Sequence, residues 1–129
     1  MKELLKEKGI KRTDQRELML EVLRDSKRPL TAEDIFKKTE GVSLATVYRT
    51  LDLFAEKGLI EQHTFKDSEK KFYELSGNAH RHYAVCLGCR QMEYVNVCPV
   101  HDLHIEDFEI TGHRLEIYGY CKDCRSKVN

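Results

Sequence analysis

The chain has 129 residues and a formal net charge of zero, with 22 Lys and Arg against 22 Asp and Glu, so any contact with DNA must come from a local arrangement of charge. Its length allows one or two small domains. The sequence has neither an apolar run of ~20 residues nor a signal-peptide pattern after Met1. We therefore expect a cytoplasmic location and no membrane partner. Because the cytosol is reducing, the five cysteines are expected to bind metal rather than to form disulfides.

Two helices are predicted at the start of the chain. Thr13 can cap the first, and its apolar residues follow the spacing of one buried face: Leu18, Met19, Val22 and Leu23. Pro29 breaks the chain, and "TAED" from Thr31, a near capping box, begins a short second helix. The predicted buried side of that helix is Ala32, Ile35 and Phe36.

A third helix and two strands complete the first half. Ser43 can cap the helix "LATVYRTLDLFAEKG", and Gly58 ends it. Its apolar stripe is Val47, Leu51, Phe54 and Ala55. The segments "LIEQHTF" and "KKFYEL" read as strands joined by the polar turn "KDSE". This order of elements is typical of a winged helix-turn-helix.

The polar face of the third helix is a candidate for reading DNA. It carries Ser43, Thr46, Tyr48, Arg49 and Thr50. Arginine can make a bidentate contact with guanine, while tyrosine and threonine offer methyl and phosphate contacts. Three nearby basic residues could hold phosphates: Lys11, Arg12 and Arg16. The alternative is an ordinary amphipathic helix with a solvated polar face.

The distribution of metal-binding residues divides the chain. All five cysteines and five of the six histidines lie at or beyond His80, with His63 alone before it. The segment "LSGN" at this break is rich in turn formers. We therefore predict an α+β protein with a winged-helix domain over 1–75, a hinge at 76–79 and a metal-binding domain over 80–129.

Two C-x-x-C units predict a structural zinc. They are Cys86 with Cys89 and Cys121 with Cys124. Two such units supply the four sulfurs of a closed tetrahedral zinc site. Redox dithiols are the weaker alternative, because no thioredoxin-like context accompanies them.

The histidines predict a further site. His80 and His82 would share a face of an extended segment, His101 and His104 a face of a helix started by Pro99, and His113 would open the strand "HRLEIYGY". Such a cluster without carboxylates favours tetrahedral zinc. Cys98 is either a further ligand or a small buried hydrophobe, and we slightly favour the second. With no H-E-x-x-H pattern and no evident room for a substrate pocket, we expect neither an enzyme nor a small-molecule substrate.

These motifs resemble the ferric uptake regulator (Fur) family of metal-responsive bacterial repressors. The matching segments are "GIKRTDQREL", "SLATVYRTLDLFAEKGLI", "HRHYAVCLGC" and "GHRLEIYGYCKDC". The resemblance implies a C-terminal α/β dimerisation domain with a four-cysteine zinc site, a homodimer, and binding to palindromic operator DNA when a regulatory metal is bound. It also implies base reading by Tyr48 and Arg49, and a structural zinc on the four C-x-x-C cysteines.

The resemblance extends to the regulatory metal sites. The family's hinge site retains Glu74, whereas Arg28, Arg81 and Tyr83 stand where relatives have histidine. The residues that match its other site are all histidine: His80, His82, His101 and His113. "VCPVHDL" resembles a segment of the zinc uptake regulator branch, so zinc is expected there as the regulatory ion.

Several alternatives stay open at this point. The regulatory ion could be another divalent metal, as in an iron- or manganese-responsive or peroxide-sensing repressor of the family. A function of a different class is a protein-interaction module stabilised by zinc, which the neutral net charge would suit. Additional metal ligands could come from Glu74, His63, His104 or Cys98, although His63 reads more readily as an exposed residue of the wing.

Overall fold

The computed structural model describes residues 1–65, 68–77, 81–95, 97–98, 100 and 102–127. The chain forms two compact units, Met1–Asn78 and Ala79–Asn129, and the division falls within the segment 76–79. Among the described residues, no helix combines the length and the apolar character that crossing a membrane requires.

The first unit begins with four helices. They are α1 (Lys2–Glu7), α2 (Asp14–Asp25), α3 (Ala32–Lys38) and α4 (Leu44–Glu56). Each predicted cap is present: Thr13 accepts from the N–H of Arg16, Ser43 accepts from that of Thr46, and Thr31 forms a reciprocal capping box. The caps satisfy N–H groups that the first turn of a helix leaves without partners. Helix α1 was not predicted, because six residues are too short to show a periodicity.

The first unit packs its helices around an apolar core, with two departures from the predicted faces. Fully buried members include Leu20, Ile35, Val47, Leu51 and Phe54. Phe36 was expected to be buried but is 41% exposed, because the short helix α3 buries its Ala32–Ile35 row instead. Thr50 was placed on the polar face but is buried, since it continues the row of Val47 and Phe54 at helical spacing.

A two-stranded hairpin follows α4, as the sequence predicts. Strands β1 (Ile60–His63) and β2 (Phe72–Leu75) are antiparallel, with Glu61 opposite Glu74 and His63 opposite Phe72. Leu30, between α2 and α3, exchanges two backbone hydrogen bonds with Tyr73 of β2, at 3.0 and 2.7 Å. The hairpin is therefore attached to the helices through its backbone as well as through its apolar side chains.

The second unit is a three-stranded sheet in the order β4-β3-β5. Strand β3 (His82–Cys86) is antiparallel to β4 (Met92–Val95) and parallel to β5 (Glu116–Gly119), and a short helix α5 (Lys122–Arg125) follows. Among the residues described in this unit, only His82, Val85, Cys86 and Met92 are buried. So small a core is typical of domains that use a metal or a partner for stability.

The predicted helix carrying His101 and His104 is wrong for the residues that the structure describes. Between 97 and 115 these residues form isolated turns, closed by hydrogen bonds from the N–H of Leu103 to Val100 and from that of Phe108 to Ile105. Asp107 has a φ of +58°, which is incompatible with a continuing right-handed helix. The last strand also begins at Glu116, so His113 precedes it rather than opening it.

Candidate metal sites and DNA interface

The four C-x-x-C cysteines converge in the second unit. Cys86 and Cys89 lie at the end of β3 and in the turn beyond it, while Cys121 and Cys124 lie at the start of α5. Their four sulfurs are all within 4.8 Å of one another, and the Sγ atoms of Cys89 and Cys121 are 4.0 Å apart. A tetrahedral zinc with bonds of about 2.3 Å separates its sulfurs by about 3.8 Å. The four thiols can therefore hold a structural zinc.

The backbone around Cys86 favours the thiolate form that zinc requires. Burial raises the pKa of Cys86, but N–H groups of Cys121, Cys89 and Gly88 oppose it and lower the pKa to about 6. The hydrogen bond that Cys124 makes to Cys121 acts in the other direction and raises the pKa of Cys124 to about 12. Without a cation, the cluster thus accommodates its first negative charge far more easily than its last.

A second cluster joins two of the predicted regulatory histidines to Cys98. The Sγ atom of Cys98 lies 3.2 Å from Nε2 of His82 and 3.3 Å from Nε2 of His113, and the two Nε2 atoms are 3.1 Å apart. His82 is 2% exposed. Donor atoms around one zinc ion lie at about 3.3–3.5 Å from one another, so this geometry suits a shared ion. Cys98 thus lies beside two of the predicted regulatory histidines and is only half-buried, so it is not the small core residue that was slightly favoured from the sequence.

The other three histidines predicted as metal ligands in the second half of the chain are not part of this cluster among the described residues. His80 and His101 lie outside the described residues. His104 is exposed in the loop before β5 and belongs to none of the clusters among the described residues.

A third cluster lies on the hairpin of the first unit. Nε2 of His63 is 2.9 Å from Oε1 of Glu74 and 3.9 Å from Oε2 of Glu61. The His63 side chain is 22% exposed and that of Glu74 only 3%. His63 is therefore half-buried against Glu74, whereas the sequence favoured an exposed residue of the wing. The sequence reasoning missed Glu61, although alternation along β1 places it on the same face as His63.

Residues at the positions of the family's hinge site make other contacts. Nη1 of Arg28 lies 3.5 Å from Oδ2 of Asp34. The guanidinium of Arg81 lies 4.0 Å from the centre of the Tyr94 ring, a cation–π contact. A guanidinium at either position would repel a metal ion.

The exposed side of α4 is organised around a few hydrogen bonds. The Ser43 hydroxyl lies 2.8 Å from that of Thr46, and Nη2 of Arg49 is 3.4 Å from the same Thr46 oxygen. The Tyr48 hydroxyl donates to Oε1 of Glu33 at 2.6 Å, which lowers the pKa of the Glu33 carboxyl. The ring of Tyr48 is thereby fixed while its face stays exposed, and the Arg49 guanidinium keeps most of its donors available.

The basic residues near α2 are not equivalent. Arg12 is held by two carboxylates, with Nε 2.6 Å from Glu17 and Nη2 2.9 Å from Asp14. Arg16 instead donates to the carbonyl of Lys11, at 2.7 Å. The Arg16 side chain also shares an open groove with Arg49, whose other lining residues are Thr13, Asp14, Gln15, Thr46, Thr50 and Leu53. Among these basic residues, Arg16 is therefore better placed than Arg12 to contact DNA beside α4.

Comparisons with known proteins agree with this architecture. The model of the ferric uptake regulator family matches residues 7–118. The peroxide operon regulator of Bacillus subtilis is 38% identical over 98% of this chain and 92% of its own length. The ferric uptake regulation protein of Staphylococcus epidermidis is 35% identical over 98% of this chain and 94% of its own length.

Solved structures show the same similarity. The crystal structure of the Vibrio cholerae ferric uptake regulator has a TM-score of 0.76 at 32% identity, covering 92% of this chain and 98% of that one. A zinc-bound manganese uptake regulator has a TM-score of 0.80 at 28% identity, covering 93% and 97%. The predicted α+β fold, with an N-terminal DNA-binding domain and a C-terminal dimerisation domain, is confirmed. The chain belongs to the ferric uptake regulator family of metal-responsive transcriptional regulators.

Proposed function

We propose that this chain is a zinc-responsive repressor that binds palindromic operator DNA as a homodimer. The observation that carries the choice of zinc is Cys98, whose sulfur lies within 3.3 Å of the Nε2 atoms of both His82 and His113. Thiolate ligands favour zinc over manganese, and imidazole suits zinc as well. His80 and His101 remain predicted members of the same ligand set.

The regulatory site would act by joining separate segments of the second unit. His82 belongs to β3, Cys98 follows β4 and His113 precedes β5. Zinc held by these three side chains would supply a cross-link among segments that are far apart in sequence. Such a link shifts the protein toward its DNA-binding state only if the site is better formed in that state.

The second unit also offers a surface for a second copy of the chain. Among the residues described there, the exposed large apolar side chains are Leu87, Val97, Leu103, Ile105, Phe108, Ile110, Ile117, Tyr118 and Tyr120. Exposed apolar side chains mark a protein interface when they form one contiguous patch, and a dimer interface that buries these residues would remove them from water. A dimer would present two α4 helices, so that Tyr48 and Arg49 of each copy read one half of a palindrome.

Metal-dependent operator binding tests this function. A fluorescent operator duplex, selected from a random library, would be titrated at buffered free zinc, manganese or ferrous iron, the last without oxygen. We expect zinc to support binding at the lowest free concentration. Cys98→Ser should weaken the zinc response by more than the ~10–100-fold typical of losing an outer-shell partner, because a direct ligand is removed. His104→Ala, which changes an exposed histidine outside the cluster, is the matched control.

Other outcomes support the alternatives. A response to manganese or iron at lower free concentration than zinc, unchanged in Cys98→Ser, would favour the iron- or manganese-responsive repressor. If no metal promotes binding to any selected duplex, the repressor proposal fails and the protein-interaction module replaces it.

A further inference from the structure

We propose that Glu33 is a specificity-determining residue of the DNA interface, because it engages the hydroxyl of Tyr48 and leaves only the ring of Tyr48 to contact DNA. This inference rests on the proposed function, in which the exposed side of α4 meets the operator. Glu33 is an exposed residue in the first turn of α3, and Tyr48 lies 15 positions later on α4. The Tyr48 hydroxyl donates to Oε1 of Glu33 at 2.6 Å.

A tyrosine side chain can contact DNA in two ways that differ in sequence specificity. Its hydroxyl can donate to a phosphate oxygen, and such a contact positions the protein without reading the sequence. Its ring can pack against the methyl group of a thymine in the major groove, and this contact distinguishes thymine from the other bases. A residue that closes the first way and keeps the second therefore raises specificity, even if it adds nothing to operator affinity.

Glu33 closes the phosphate contact in two respects. The phenol has a single O–H donor, and that donor is already engaged by Glu33. A separation of 2.6 Å is typical of the strong hydrogen bond between a hydroxyl and a carboxylate, so a phosphate oxygen would have to displace it. The Glu33 carboxylate also carries the same sign of charge as a phosphate, and it repels a phosphate that approaches the Tyr48 hydroxyl.

Both groups have the ionisation state that this arrangement needs. The hydrogen bond from Tyr48 lowers the pKa of the Glu33 carboxyl, and the same bond is the largest cause that raises the pKa of Tyr48. At neutral pH, Glu33 is therefore ionised and Tyr48 keeps the proton that it donates. Tyr48 remains 42% exposed, so its ring is accessible although its hydroxyl is engaged.

Two substitutions separate the charge of Glu33 from its hydrogen bond. Glu33→Gln removes the charge but keeps a side-chain oxygen that can accept from Tyr48. Asp52 is an exposed residue of α4 that lines the same groove as Glu33 and Tyr48. Because the single Tyr48 proton is donated to Glu33, Asp52→Ala removes one negative charge from this groove without breaking that bond.

Fluorescence anisotropy with the full-length protein tests the inference, at the free metal concentration that supports operator binding. The affinities for a selected operator and for a scrambled duplex of the same length would be compared. We expect Glu33→Ala to lower the ratio of operator to scrambled affinity by about 2- to 10-fold, as one hydrogen bond gained on the scrambled duplex would do. Glu33→Gln and Asp52→Ala should keep the ratio of the unchanged protein, because phosphates are common to both duplexes.

The same comparison in a Tyr48→Phe background shows whether Glu33 acts through Tyr48, since phenylalanine keeps a ring but has no hydroxyl. There, Glu33→Ala should leave the ratio where Tyr48→Phe alone puts it. The inference is overturned if Glu33→Ala leaves the ratio unchanged in the presence of the Tyr48 hydroxyl, or if it lowers the ratio equally in both backgrounds.

Two further readouts keep these outcomes distinct. Alanine and glutamine are both good helix formers and Glu33 is exposed, so α3 should persist, and thermal unfolding would verify that each variant is folded at the assay temperature. If the unchanged protein binds neither duplex with any metal, the repressor proposal and this inference fall together. If it binds the operator with a ratio insensitive to Glu33→Ala, this inference alone is overturned.

Discussion

Replacing Arg49 by alanine should weaken operator binding without affecting the fold. The side chain is exposed on α4 and its hydrogen bond to Thr46 is long, at 3.4 Å. Alanine is also the better helix former, so the free energy of unfolding should not fall. In the complex, loss of a bidentate base contact costs ~1–3 kcal/mol. A homodimer loses two such contacts, so the expected cost is at least ~2 kcal/mol, or about 30-fold in affinity.

Fluorescence anisotropy at fixed free zinc measures this effect. The operator duplex and a scrambled duplex of the same length would be compared over a series of salt concentrations. Base reading predicts a loss for the operator with little change for the scrambled duplex. Arg12→Ala is the matched control, since Asp14 and Glu17 already pair with that guanidinium. An equal loss on both duplexes, with a salt slope reduced by about 1 for each phosphate that is no longer bound, would show that Arg49 binds phosphate.

Two further predictions concern the metal ligands and the hydrogen bond at α4. Cys89→Ala should lose the structural zinc and unfold the second unit, because binding and folding are coupled at structural sites. Cys98→Ser should lose only the regulatory zinc and keep the fold. Zinc content and limited proteolysis would distinguish the two variants, and equal loss of fold in both would mean that there is one zinc site instead of two. Tyr48 donates to Glu33 and lowers the pKa of Glu33 below its ordinary 4.5, so the stabilisation from this bond is present at neutral pH and is lost as pH falls through the lowered pKa. Tyr48→Phe should accordingly be destabilised in denaturant unfolding at pH 7, and its difference from the unchanged protein should shrink as the pH is lowered below 4.5. A difference that stays constant in acid would contradict this origin.

Local chemistry explains why the first unit could be predicted closely. Thr13, Thr31 and Ser43 each form a cap with a residue three positions further along the chain, and such contacts depend only on the neighbouring sequence. The exceptions, Phe36 and Thr50, depend on which row of a helix meets its neighbour. That choice is made by packing in three dimensions and leaves little trace in a short amphipathic pattern.

Non-local contacts explain what could not be predicted in the second unit. The spacing of the C-x-x-C units indicates a common ion, because each unit is a local motif. Cys98 reaches His82 across 16 positions and His113 across 15, and no local pattern encodes those distances. The expected helix was inferred from Pro99 as its first residue, whereas the segment after it has β-branched and aspartate residues that favour turns over helix.

The backbone bridge between Leu30 and Tyr73 has a consequence for how quickly the protein can engage DNA. Two short hydrogen bonds hold β2 against the segment that precedes α3, and Pro29 restricts that segment further by fixing its own φ. Strand β2 is therefore held in place before the protein meets DNA, so binding does not have to include the entropy cost of positioning this strand. Association can then proceed at a rate set by diffusion and orientation, without a preceding step that docks β2 onto the helices.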